Sequence, residues 1–82
     1  MKQSAGYLVT FTEYTNGEQS GFGMAAATKD FNLACEYLWN RVRQMEDGGH
    51  DLKEAYEDYA VLQGRGGYEI VWELYKVPIL TK

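Results

Sequence analysis

Cysteine, proline and histidine each occur once in this 82-residue chain, and no long apolar run occurs at all. Each scarcity excludes something. Cys35 alone cannot close an internal disulfide, and the N-terminus lacks the apolar core of a secretory leader, so the expected compartment is a reducing cytoplasm. No segment approaches the roughly 20 apolar residues that would span a bilayer. His50 has no second imidazole or thiolate at ligand spacing, so no metal site and no cofactor is expected, and His50 reads as a solvated loop residue. Neither a Ser/His/Asp nor a Cys/His arrangement is present, which argues against an enzyme and leaves no catalytic residue to name. Bases are scarce too: eight Lys and Arg against twelve Asp and Glu give a net charge of −4. That balance disfavours direct contact with nucleic acid or anionic lipid and points to a basic partner.

Apolar and aromatic residues are plentiful, at 45% and 15% of the chain, so a packed core is expected. At this length residues 1–82 make a single domain. The negative charge is concentrated in residues 44–58, QMEDGGHDLKEAYED, where Glu46, Asp47, Asp51, Glu54, Glu57 and Asp58 face Lys53 alone. The rest of the chain is close to neutral.

The runs GYLVTFTEY and QSGFGMAAA flank Asn16-Gly17, a pair suited to the positive φ angles of a type I′ turn, and predict a β-hairpin. A two-residue loop sets Phe11 opposite Phe22, Val9 opposite Met24 and Tyr7 opposite Ala26, which collects the large apolar groups on one face. Thr28 is the expected N-cap of a helix through about residue 46, with Phe31, Ala34, Cys35, Leu38, Val42 and Met45 as its buried stripe. Gly48-Gly49 ends it. Asp51-Leu52-Lys53-Glu54 resembles a capping box, and Leu52, Ala55, Tyr56, Tyr59 and Leu62 then recur at helical spacing, predicting a second helix that Gly64-Arg65-Gly66-Gly67 closes. Residues 68–77, YEIVWELYKV, read as a third strand with Ile70, Trp72 and Leu74 on one face and Val71, Tyr75 and Val77 on the other, after which Pro78 is expected to stop pairing. The expected fold is α+β, a β-β-α-α-β domain whose three-stranded, mostly antiparallel sheet carries both helices on one face. The place of the third strand beside the first or the second stays open.

Cys35, inside an apolar stripe, reads as a small buried hydrophobe rather than a nucleophile. Gly21-Phe22-Gly23 and Gly64-Arg65-Gly66-Gly67 do not open helices and so do not form phosphate cradles; the strand glycines more simply admit a close neighbour. Tyr37 and Leu33 lie off the main stripe with Trp39 at its edge, placed either to pack the second helix or to meet a partner. Asp51 and Glu54 have a capping role available, whereas Glu46 and Asp47 oppose the dipole at a helix C-terminus. The expected binding surface is therefore Glu46, Asp47, Asp51, Glu54, Glu57 and Asp58, with Tyr37 and Trp39 beside them.

In size, acidity, aromatic content and lack of catalytic parts, the chain resembles the small accessory proteins with which phages and mobile elements block host defence, anti-CRISPR and anti-restriction inhibitors among them. That resemblance implies a protein partner, a nucleic-acid-handling enzyme with a basic surface, met in the cytoplasm of a host cell. It carries no residue over. The alternative expectation is a homodimer or higher oligomer joined through the helix-free sheet face, where Leu8, Val71 and Tyr75 would be left uncovered.

Overall fold

The computed structural model describes residues 2–81. Five strands and one helix run in the order β1 (Lys2–Thr15), β2 (Glu18–Thr28), α1 (Phe31–Asp47), β3 (Asp51–Tyr56), β4 (Tyr59–Gln63) and β5 (Tyr68–Thr81). They form one antiparallel sheet of order β2-β1-β5-β4-β3. The third expected strand thus lies beside the first, and β2 and β3 are the edges.

The first hairpin turns as its sequence demands, with φ of 54° at Asn16 and 83° at Gly17. Its register follows the expected pairing only for Thr15 with Glu18 and Tyr14 with Gln19. Two irregularities then displace it, so that Phe11 faces Gly23 rather than Phe22, Thr10 faces Met24, and Tyr7 faces Thr28. The glycine is required there, because a Cβ on Gly23 would lie 2.5 Å from Phe11 Cζ.

Asp30, not Thr28, caps the helix: its Oδ1 accepts from Leu33 N–H at 3.1 Å, and Thr28 Oγ1 accepts from Asp30 N–H one step upstream. At the other end Gly49, with φ of 100°, lets its own N–H reach Glu46 O and that of His50 reach Met45 O, both at 3.0 Å. This pair of bonds is a Schellman motif.

The expected second helix does not exist. Residues 51–63 are the hairpin β3–β4, turning at Glu57-Asp58, and this replaces a three-stranded sheet with two helices by a five-stranded sheet with one. An irregularity at Lys53 sets Leu52 and Ala55, three apart, opposite Leu62 and Ala60 on the helix side, so a bulged strand reproduces helical spacing. Pro78 does not end pairing either, since β5 continues against β1 to Thr81. Beyond Glu73 β5 has a neighbour on one side only, where a missing N–H is tolerated.

Helix α1 lies across one face of the sheet. Ala34, Leu38 and Val42 from the helix, Val9, Ile70 and Trp72 from the central strands, and Ala60 and Leu62 from β4 make the buried core. Trp72 donates Nε1–H to Met45 Sδ at 3.2 Å, with the Arg41 guanidinium over its ring. The molecule measures 48 × 24 × 16 Å, a slab with one helix and one bare face.

Candidate functional site

Side chains alternate across a strand, so residues that alternate with Val9, Phe11, Ile70 and Trp72 point to the face without a helix. Strand register arranges them in rows across all five strands. One row reads Met24, Thr10, Glu73, Tyr59, Tyr56; the next Phe22, Thr12, Val71, Val61, Glu54; the third Gln19, Tyr14, Glu69, Gln63, Asp51. Every charged side chain in these rows is a carboxylate. Tyr75 and Leu8 extend the face past the first row.

Among the described residues no element covers this face, yet Thr10, Thr12, Val61 and Val71 are all buried. Large side chains in and beside their rows stay open to solvent: Phe22 is 64% exposed, Met24 65%, Tyr56 61% and Tyr75 47%. Thr10 Oγ1 is buried there without a hydrogen-bond partner. The result is a floor of two threonines and two valines with tyrosine rings and carboxylates about it.

The electrostatics agree. Burial pushes the Tyr59 hydroxyl pKa up, and the charges of Glu54, Glu73 and Glu69 push it further; Glu73 stands beside Tyr59 in its row, Glu54 is one row away and Glu69 two. Tyr75 donates its hydroxyl to Glu73 Oε2 at 2.8 Å, and that bond raises its pKa. Tyr56 and Tyr59 pack with ring centroids 5.9 Å apart.

The expected site residues do not form one patch. Asp51 and Glu54 lie on this sheet face. Glu46 and Asp47 are exposed at the C-terminal end of α1, whereas Glu57 and Asp58 form the β3–β4 turn at the opposite end of the hairpin. Five strand steps separate Asp51 from Tyr56, about 17 Å at roughly 3.3 Å per residue. Asp51 and Glu54 belong to a strand and cap no helix. Tyr37 and Trp39 are half-buried on the helix side, where Trp39 Nε1–H donates to Glu57 O at 3.2 Å and the Tyr37 hydroxyl to Ala25 O at 3.5 Å. They fasten the helix to a turn and to an edge strand.

Glu69, Glu73 and Tyr14 join the face although the sequence reading did not place them in the binding surface. The alternation of β5 already places Glu69 and Glu73 on one face in the sequence, with Val71 and Tyr75, but it does not bring the β4 and β3 residues beside them.

No protein-family model, curated protein or solved structure matches this chain. The face must therefore be interpreted from its own chemistry.

Two other residues can be placed. Cys35 is half-buried on the helix, and burial, then the charges of Glu57 and Asp58, pushes its thiol pKa up, away from the thiolate a nucleophile needs. His50 is half-buried rather than solvated: its Nδ1 lies 3.1 Å from Met45 O, to which it donates, and its ring meets Tyr68 edge-on at 5.8 Å. Among the described residues no three His, Cys, Asp or Glu side chains gather as metal ligands, and no helix is long and apolar enough to cross a membrane.

Proposed function

We propose that this protein is a non-catalytic binding module that takes a basic surface of another protein onto its helix-free sheet face. The observation that supports it is the company kept by the carboxylates: Glu73 stands beside Tyr59, Glu54 and Glu69 lie in the next two rows, and these three rows of an uncovered face carry no base. Lysine and arginine side chains match both parts of such a surface. Their charged ends meet carboxylates, and their cationic planes or stems lie against tyrosine rings, each ring contact being worth about 0.5–2 kcal/mol. Exposed Phe22 and Met24 at one margin add apolar area.

The partner class follows from the same chemistry. Basic surfaces of this kind belong to enzymes that hold nucleic-acid phosphates, and an acidic protein can occupy them in place of phosphate. The reading is therefore an inhibitor of a nucleic-acid-handling host-defence enzyme, anti-CRISPR-like in action. The outlying acids, Glu57 and Asp58 at the β3–β4 turn and Glu46 and Asp47 at the end of α1, would steer association rather than contact the partner. Joining two copies through this face is disfavoured, since carboxylates would meet carboxylates.

Capture from a plausible host lysate tests the proposal with two variants of equal charge change. Neutralising Glu54, Glu69 and Glu73 to Gln should lower affinity for the captured protein by about 10- to 100-fold, whereas neutralising Glu46, Asp47 and Glu57 to Gln should cost less than about fivefold and mainly slow association. Equal effects, or a larger loss from the second set, would refute the sheet face as the binding surface.

A further inference from the structure

We propose that the protein dimerises by pairing β2 with β2 of a second copy, antiparallel about Gly23, to give one continuous ten-stranded sheet. The two edges of the five-stranded sheet are built differently. Strand β3 carries Asp51, Lys53 and Glu54 and an irregularity at Lys53, the usual means of preventing edge pairing. Strand β2 has no charged side chain from Gln19 to Thr28, an unusually bare edge of ten residues.

Its backbone is also in phase for pairing. Thr15 and Glu18 flank a two-residue turn and exchange the hydrogen bonds that close the hairpin, so the odd-numbered residues of β1 bond to β2. Phe22 and Met24 stand opposite Thr12 and Thr10, which bond to β5 instead, and so direct their N–H and C=O groups outward.

The edge is self-complementary. The residues of β2 on the helix-free face are Gln19, Phe22, Met24 and Ala27, at four and one positions on either side of Gly23. A two-fold axis at Gly23 therefore sets Phe22 against Met24 of the second copy twice, a ring and a thioether that attract each other, with Gln19 against Ala27 outside them. The irregularities at Ser20 and Ala25 compensate each other across the axis, which keeps the faces aligned. At each end Glu18 meets Thr28 and its neighbour Lys29, the complementary charges at the two ends of this edge. Both helix-free faces then lie on the same side, doubling the surface proposed above, although the dimer does not depend on what that surface binds.

Light scattering and sedimentation decide the matter. The expected mass is twice the 9.4 kDa of the chain. A Phe22→Lys/Met24→Lys variant, at positions already 64% and 65% exposed, should be a monomer with an unchanged circular dichroism spectrum. Glu18→Lys should weaken the dimer by about fivefold and Lys29→Glu added to it should restore the affinity. A wild-type chain that stays monomeric at about 1 mM, a double-lysine variant that still dimerises, or a charge swap that fails to restore pairing overturns the proposal.

Discussion

The Tyr68 hydroxyl donates to Glu13 Oε2 at 2.7 Å across the sheet, and burial, then that bond, pushes its pKa up to about 12. In the unfolded chain a tyrosine ionises near its ordinary value of about 10, so as pH rises the unfolded state releases this proton first. The stability this side chain contributes is complete below about pH 10 and is lost between about 10 and 12. Allowing for solvent screening at a partly exposed ring, the loss is on the order of 1 kcal/mol. Urea denaturation followed from about pH 8 to 11 should show a smaller alkaline loss in Tyr68→Phe than in the wild type. The slope does not vanish in that variant, because the Tyr59 and Tyr75 hydroxyls are raised as well. Identical pH profiles would contradict this account of Tyr68.

Among the elements, the end of α1 gives the sharpest expectation. Gly49 holds a left-handed conformation with open space where a Cβ would project, so Gly49→Ala should destabilise by about 1 kcal/mol through backbone strain alone. Gly48→Ala, at a φ of −82°, should cost much less. Thermal melts of the two variants compare them directly, and equal melting temperatures would rule out the Schellman end as a stabilising feature.

The same elements show what the sequence could reveal. Asn16-Gly17 announced the first hairpin because its turn needs positive φ at both residues, and Ala34, Leu38 and Val42 announced the helix by their spacing. The β3–β4 hairpin gave no such notice. Neither Glu57 nor Asp58 takes a positive φ, so its turn needed no glycine or asparagine. The bulge at Lys53 meanwhile spaced Leu52 and Ala55 like helical residues. Bulges likewise moved Phe11 from Phe22 to Gly23, because turn chemistry sets register only as far as the first irregularity. The site was obscured by the same error: a helix over residues 51–62 would have gathered the acids along one side, whereas a hairpin spreads them between a turn, an edge and a face.

For the whole molecule, the decisive feature is the asymmetry of its two faces. One carries the helix and the core; the other carries Glu54, Glu69, Glu73 and Tyr59 in three adjoining rows, with no described element over them. Contiguity of charge along the chain, in residues 44–58, proved a poor guide to contiguity in space. Titrating the 15N-labelled protein with an arginine-rich peptide and following backbone amide shifts by NMR tests the central claim most directly. The expected result is a set of shifts confined to Glu54, Tyr59, Val61, Glu69, Val71 and Glu73, which disappear when the three glutamates are changed to Gln. Shifts centred on Glu46, Asp47, Glu57 and Asp58, or none at all, would contradict it.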